Sequence, residues 1–263
     1  RRPIVKAEAA EALMVRSLGS GANGIGYYMY HGGSTPKQNN GVGFLSDELM
    51  GVPKISYDFQ APIGEFGLVR DSYQNLRILH SFLEDFSSSL APMETVLPEG
   101  NDRITPDNRE TLRYAVRMKD DSGFIFMTNF QDHDTARVDQ KDLQFKLNLR
   151  NESFMIPAKG TFTLKKDVSA ILPFNLHMED AVLKYATAQL LTKIEDNGKE
   201  HYFFFAPEGF TPEYSFDKAT LKSGKSFYAP IPGVKSTFSI TTKNGKKVMV
   251  SILPATVLYA CLL

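Results

Sequence analysis

The sequence has one cysteine, no net charge and no long apolar run, and each absence excludes a class of protein. Cys261 stands alone among 263 residues, so an internal disulfide and a multi-cysteine zinc site are excluded. The 30 Lys and Arg residues balance 30 Asp and Glu residues, and no dense basic stripe marks a nucleic-acid or anionic membrane surface. No run reaches the roughly 18 apolar residues that a membrane-spanning helix needs. We therefore predict neither a nucleic-acid partner nor a membrane partner.

The two ends of the chain suggest a piece of a longer protein. The chain opens on RRPIVKAEAAEAL, without Met and without a signal-peptide pattern. It closes on the apolar stretch VMVSILPATVLYACLL, which we predict to be strand. With 42% apolar and 23% charged residues, the composition is that of a folded globular protein.

The first 95 residues predict two helices around one strand. Residues 5–20 are rich in Ala, Leu and Glu and predict a helix. The aromatic run GIGYYMY, residues 24–30, predicts a short buried strand, because aromatic side chains favour pleated surfaces. A second helix is predicted from Asp71 to Pro92, and its apolar stripe is Leu76, Leu79, Leu83, Phe86 and Leu90.

Short β-like runs separated by turn formers dominate the rest of the chain. Runs such as GFIFMTNF and KVMVSILP, with NG turns at 197–198 and 244–245, predict an antiparallel β-sandwich. We predict three parts: residues 1–95, a linker at 96–106 and a β-sandwich at 107–263. A helix–strand–helix piece cannot bury its own apolar faces, and it is typical of the end of a (β/α)8 TIM barrel. The predicted fold class is therefore α/β plus all-β, with the C-terminal portion of such a barrel before the sandwich.

Two motifs in the first part carry a resemblance to a known family. YMYHGG at residues 28–33, then SYDFQAP at 56–62 with Glu65 behind it, resembles the last barrel strand and following loop of glycoside hydrolase family 35. In the second part, LKYATAQLL at 183–191 is similar to a strand of the β domain that follows the barrel there. The resemblance spans 5–95 closely and 110–215 less closely. It implies a retaining β-galactosidase acting on a β-galactoside or glycan substrate, and an extracytoplasmic location, periplasmic or secreted.

The resemblance also implies that the catalytic residues are missing from this chain. Retaining glycosidases use two carboxylates about 5–5.5 Å apart, one as nucleophile and one as acid/base. The family motifs that hold these two glutamates do not occur here, so no catalytic residue is predicted and the chain alone is expected to be inactive. Glu8 and Glu11 fall on the first helix, where a solvent-exposed face is the usual interpretation.

The predicted substrate-binding residues are Tyr28, Tyr57 and Phe59. Tyr28 matches a family tyrosine that lies against the galactose, and its phenol can donate a hydrogen bond; a barrel-core tyrosine is the alternative. Phe59 matches a tyrosine that borders the sugar, so it keeps the apolar ring face but lacks the hydroxyl. Tyr57 and Asp58 are expected mainly to hold the loop, with Glu65 as its anchor.

Three further features of the predicted rim each have a structural explanation beside a functional one. His31 is a candidate hydrogen-bond donor at the rim, or a satisfied structural histidine. Gly32 and Gly33 are expected to permit backbone angles that side chains forbid. The remaining histidines have no ligand spacing, so no metal is predicted, and calcium at the acidic turn QDHD, residues 131–134, has thin support. No cofactor motif occurs.

Two other functions remain open at this stage. One is a non-catalytic carbohydrate-binding or structural β-sandwich module; the aromatic cluster YFFFAPEGF at 202–210 could form its platform, although sandwich-core packing explains the cluster more simply. The other is a self-sufficient hydrolase that uses Asp58 and Glu65. If the barrel piece lacks its neighbours at residues 26–30 and along the second helix, we expect one of three outcomes there. These are a partner chain or missing N-terminal barrel segment, a domain-swapped assembly, or a large exposed apolar patch.

Overall fold

The computed structural model describes residues 4–36, 56–255 and 258. Helix α1 spans Ala7–Gly19 and helix α2 spans Asp71–Leu90, which confirms both predicted helices. Two short 3-10 helices occupy Asn101–Arg103 and Lys218–Thr220. No helix within the described ranges has both the length and the apolarity needed to cross a membrane. Cys261 and most of the loop predicted at 34–52 lie outside the described residues.

The described residues contain eighteen strands, sixteen of them after residue 92. In the described ranges they are β1 Gly33–Ser34, β2 Ser56–Tyr57, β3 Glu94–Val96, β4 Arg113–Lys119, β5 Ser122–Thr128, β6 Gln140–Leu143, β7 Phe145–Asn148, β8 Ser153–Ile156, β9 Phe162–Leu164, β10 Ser169–Met178, β11 Ala181–Ala186, β12 Gln189–Asp196, β13 Lys199–Phe205, β14 Tyr214–Phe216, β15 Leu221–Ser223, β16 Phe227–Tyr228, β17 Ser236–Thr242 and β18 Lys247–Leu253. The strand predicted at the C-terminus therefore ends at Leu253, and Ala255 and Leu258 are helical.

Two large sheets form the predicted β-sandwich. One has seven strands in the order β16-β14-β11-β10-β5-β4-β3, and the other has five in the order β12-β13-β18-β17-β15. Their pairs are antiparallel except for β13 with β18, which run parallel. The main core lies between the sheets, where Phe124 and Leu183 of the first sheet meet Phe204 and Val250 of the second. The sandwich prediction is confirmed.

The aromatic cluster at 202–210 belongs to this packing. Tyr202 and Phe204 alternate along β13 and point into the main core, because successive side chains of a strand face opposite sides. Phe205 and Phe210 are buried in two smaller apolar clusters. The cluster is therefore core packing, and it does not form an exposed carbohydrate platform.

A second core covers the other face of the seven-stranded sheet. Ile125, Leu172 and Phe174 point to this side, where they pack against side chains of the β6–β9 and β7–β8 pairs. Strands β5 and β10 are thus buried on both faces, which explains why their sequences are almost continuously apolar instead of alternating.

Both helices pack into the same main core as the sheets. The ring of Phe82 on α2 meets Phe124 of β5 at 5.3 Å between centroids, and Phe86 stacks on Tyr202 of β13 at 6.3 Å. Met14, Val15 and Leu18 of α1 complete the contact. The expectation that the α2 stripe would be exposed was wrong, because α1 and strands β5, β12 and β13 pack against α2.

Residues 24–30 do not form the predicted strand. Residues 22–27 are irregular and Tyr28–Tyr30 form a turn. A strand needs a neighbour to satisfy its backbone groups. In the described part of the chain this region has only the bridge between His31 and Ile63 and the two-residue pair β1–β2. Tyr27 and Tyr30 pack on the rim of the main core instead.

The division at residues 95–107 stays a prediction. Strand β3, which ends at Val96, pairs with β4 in the seven-stranded sheet. The described residues between α1 and α2 contain only the strands β1 and β2, so the arrangement of a TIM barrel is not seen in them.

Candidate functional site

The three predicted substrate-binding residues lie together. The hydroxyl groups of Tyr28 and Tyr57 are hydrogen-bonded, and their rings meet edge to face with centroids 6.4 Å apart. The rings of Tyr57 and Phe59 are also edge to face, at 4.5 Å. Residues separated by about thirty positions of sequence therefore build one aromatic surface.

This surface borders an open groove of about 650 Å³, the aromatic groove. Tyr28 and Phe59 line it together with Val5 and Leu13 from the start of the chain. Tyr28 is 83% exposed and Phe59 is 39% exposed, so a ligand in the groove can contact both side chains. Such a wall can bind the C–H face of a sugar, and the Tyr28 phenol can exchange hydrogen bonds with its hydroxyls.

The loop that carries Phe59 is held by Asp58. Its carboxylate forms a salt bridge with Arg70 and accepts a hydrogen bond from the Glu65 backbone N–H at 3.0 Å. Arg70 also donates to the carbonyl of Ala61. The loop-holding role predicted for Asp58 agrees with these contacts.

Glu65 anchors the same loop. Its two carboxylate oxygens accept hydrogen bonds from the hydroxyls of Ser34 and Ser56, one on each strand of the β1–β2 pair. Both Asp58 and Glu65 are therefore engaged in structural contacts. This arrangement gives no support to a hydrolase that uses these two residues as its catalytic pair.

Gly32 is required for a reason that differs from the predicted one. Neither Gly32 nor Gly33 has a positive φ angle. A Cβ at position 32 would lie 2.3 Å from Asp58 Oδ1 and 2.8 Å from the backbone nitrogen of Glu65. Close approach of the loop, and not backbone freedom, therefore excludes a side chain at this position.

Replacing Gly32 by Ala is expected to displace the loop and to destabilise the protein by about 1–3 kcal/mol, the usual cost of overpacking. The matched control is Gly33→Ala, because a Cβ there meets no atom within 4 Å. Urea unfolding followed by circular dichroism measures both variants. Equal midpoints for the two variants would contradict the assigned contact.

The other candidates of the sequence take structural positions. His31 is exposed, and its Nδ1 contacts the backbone oxygen of Gly32. Glu8 and Glu11 are half-buried, which corrects the expected solvent-exposed face. Burial, with a smaller contribution from Glu8, raises the pKa of Glu11 to about 7. The described residues hold no cluster of three His, Cys, Asp or Glu side chains suited to a metal ion.

Sequence reasoning missed Arg70 and Gln60. The side-chain oxygen of Gln60 accepts a hydrogen bond from the Val5 backbone N–H at 3.0 Å, which ties the loop to the segment before α1. Phe59 and Gln60 both have positive φ angles, 45° and 59°, which are uncommon for residues other than glycine. No sequence pattern signals these contacts, because the partners are distant in the chain.

Comparison with known families adds one finding. The sequence model of the family described as β-galactosidase, domain 2, matches residues 96–259. The match begins at the end of β3 and includes the strands of the sandwich from β4 to β18. It covers well over half of the 263 residues. This chain belongs to the β-galactosidase domain 2 family.

Proposed function

We propose that the protein carrying this chain is a retaining β-galactosidase of glycoside hydrolase family 35. In this proposal residues 1–95 are the C-terminal part of its catalytic barrel and provide one wall of the galactose pocket. The observation that carries the proposal is the contact of Tyr28, Tyr57 and Phe59 beside the aromatic groove, which Tyr28 and Phe59 line. The family membership of residues 96–259 supports it independently.

Each residue of the groove has a distinct role in this proposal. The exposed ring of Phe59 stacks on the apolar face of the sugar, and the hydroxyl of Tyr28 exchanges hydrogen bonds with a sugar hydroxyl or with the nucleophile carboxylate. Tyr57 holds Tyr28 through the bond between their hydroxyls. Asp58 and Arg70 fix the loop so that Phe59 keeps its position.

The two catalytic glutamates lie outside this chain in the proposal. Asp58 and Glu65, the carboxylates of the Phe59 loop, are already bound by Arg70, Ser34 and Ser56. The chain therefore supplies binding surface, and the acid/base and the nucleophile come from the rest of the barrel.

An exposed apolar face supports the presence of further barrel structure. Ile4, Leu13, Tyr28, Phe66 and Leu68 are all exposed and lie in the first part of the chain. Ile4, Leu13 and Tyr28 also line the aromatic groove together, and clustered exposed apolar side chains often mark an interaction site. We propose that an N-terminal barrel segment or a partner chain covers it, and that the protein acts outside the cytoplasm, in the periplasm or after secretion.

The first test is turnover of an aryl β-galactoside by the 263-residue chain and by its Glu65→Gln variant. We expect no turnover from either protein, because neither catalytic glutamate is present. If the chain turns over the substrate and Glu65→Gln does not, the proposal is overturned. Glu65 would then be a catalytic carboxylate.

The second test replaces Phe59 by Ala in the full-length protein. Loss of the stacking surface is expected to raise KM about tenfold, which corresponds to ~1.4 kcal/mol of binding free energy. Phe227→Ala is the matched control, because Phe227 is 47% exposed, lies on β16 of the sandwich and does not line the groove. An equal KM in the two variants would show that Phe59 is not part of the pocket wall.

A further inference from the structure

The charge of the chain is unevenly distributed although its total is zero. Residues 218–263 contain seven of the 30 basic residues, all of them lysines, and none of the 30 acidic residues. These lysines are dispersed in the sequence and form no dense stripe. They lie in and around β15, β16, β17 and β18, which are three of the five strands of one sheet and an edge strand of the other. Folding therefore gathers them on one part of the sandwich.

Strand β17 presents a row of hydroxyl groups on the outer face of the five-stranded sheet. Ile240 of this strand belongs to the main core, so Thr237 and Ser239 point to the opposite side, and both are exposed. Lys235 and Lys243 directly precede and follow the strand and are exposed as well. At about 3.3 Å per residue the strand is roughly 20 Å long. Its two ends can therefore contact different units of a linear polymer.

Lysines of the neighbouring strands extend this outer surface. Lys247 is opposite Thr241 in the β17–β18 pair, and the next residue, Val248, is part of the main core. On β15, Lys222 follows Leu221, which packs against the same core. Alternation along a strand therefore directs both lysines outwards. We call this surface the lysine face, defined by Lys222, Lys235, Thr237, Ser239 and Lys247.

A histidine and a chain of hydroxyl groups link three strands on this side of the sheet. The hydroxyl oxygens of Thr237 and Ser251 are 2.6 Å apart, and Ser251 Oγ is 2.9 Å from Nε2 of His201. Ile194, which is opposite His201 on β12, is 49% exposed. Burial lowers the pKa of His201, and the positive charge of Lys235 lowers it further, which places that ammonium group near the imidazole. Hydroxyl groups, ammonium groups and an exposed apolar side chain therefore lie side by side.

The charge of the lysine face is not neutralised by the described part of the chain. Its three lysines form no salt bridge there. The carboxylates of the five-stranded sheet are Glu195, Asp196 and Glu200, and all three lie around the turn between β12 and β13. Glu200 is bound to Lys193 at 2.7 Å, and Asp196 is opposite Lys199. Strands β15, β17 and β18 carry no carboxylate of their own.

Edge protection explains only part of this pattern. Lysines on edge strands prevent unwanted pairing between sheets, and Lys222 on the edge strand β15 fits that role. Strand β18, however, lies between β13 and β17, so Lys247 does not protect an edge. The solvent side of an antiparallel sheet is expected to be polar, but solubility is served by charges of both signs. The single sign of the charge here therefore indicates an anionic partner.

We propose that the lysine face binds an anionic polysaccharide, a linear glycan that bears carboxylate or sulfate groups. The lysine ammonium groups bind the anions, the hydroxyls of Thr237 and Ser239 exchange hydrogen bonds with sugar hydroxyls, and Ile194 contacts the C–H groups of a ring. A nucleic acid suits this surface less well, because the lysine face has no arginine for bidentate phosphate contacts. The choice of a glycan among polyanions rests also on the proposed function. Binding involves no catalysis, so either proposal can fail without the other.

The test is calorimetric titration of the 263-residue chain at low salt with four polymers: polygalacturonate, dextran sulfate, neutral dextran and poly-L-glutamate. Saturable binding of polygalacturonate or dextran sulfate is expected, with affinity that falls as sodium chloride screens the charges. Dextran is expected not to bind, and poly-L-glutamate is expected to bind at least about tenfold more weakly, because it lacks sugar hydroxyls. Equal or tighter binding of poly-L-glutamate would overturn the glycan as partner, and absence of saturable binding to either anionic glycan would overturn the site.

Two double variants with the same change of charge separate the lysine face from a general charge effect. Lys235→Gln combined with Lys247→Gln is expected to weaken glycan binding roughly tenfold, the upper range for two exposed ion pairs. Both side chains are exposed, so the urea unfolding midpoint is expected to stay unchanged. Lys146→Gln combined with Lys159→Gln is the control, because both lysines are exposed and lie outside the five-stranded sheet. Equal affinities of the two double variants would overturn the proposal.

Discussion

Replacing Arg117 by Met is expected to lower the free energy of unfolding by at least ~3 kcal/mol, the cost of leaving several buried carbonyls without a donor. Arg117 is 1% exposed and lies on β4. Its guanidinium donates to the carbonyls of Leu18 at the end of α1, and of Leu90 and Met93 at and after the end of α2, at 2.9–3.1 Å. Helix C-termini carry partial negative charge, which favours a cation there.

The measurement is urea unfolding followed by circular dichroism, which suits a protein without tryptophan. Arg150→Met is the matched control, because Arg150 is exposed, and a surface change of this kind is expected to stay within about 0.5 kcal/mol. Arg117→Lys keeps the charge but loses the fork of donors, so an intermediate loss is expected. Equal stability of Arg117→Met and the control would show that the two helices do not depend on this residue.

Replacing Phe82 by Ala is expected to cost about 3–5 kcal/mol, the range found for removing a buried aromatic ring. Phe82 is fully buried on α2, and its ring contacts Phe86 at 5.6 Å and Phe124 of β5 at 5.3 Å. The substitution therefore opens a cavity at the point where α2 meets the seven-stranded sheet.

The same experiment reports whether the helices and the sandwich unfold together. A shared core predicts one transition that moves to lower urea, followed equally by helix and strand signals. Phe66→Ala removes an exposed ring and is the control for aromatic content. Two transitions, with only the helical one shifted, would show that the first part of the chain unfolds as a separate unit.

These two residues also bear on the proposed function. Arg117 and Phe82 tie the segment that carries the aromatic groove to the sandwich of the β-galactosidase domain 2 family. We therefore expect mutations in this contact to change the position of Tyr28 and Phe59 as well as stability. In the proposed enzyme such mutations would raise KM without touching the pocket.

The sequence by itself determined the features that depend on local pattern. The apolar stripe of α2 follows helical spacing, and the runs after residue 95 alternate or stay apolar as strands do, so the helices and the sandwich were predictable. The motifs at residues 28–33 and 56–62 identified Tyr28, Tyr57 and Phe59, which the structure brings together.

Only the tertiary structure decided which faces are covered and which polar groups are paired. Arg113, Ala115 and Arg117 alternate along β4 and resemble the solvent side of a strand, yet α1 covers that face and buries Arg117. Residues 24–30 have the composition of a strand, but they lack a neighbouring strand among the described residues. Burial and pairing depend on contacts between residues far apart in the chain, and such contacts leave no periodic signal in the local sequence.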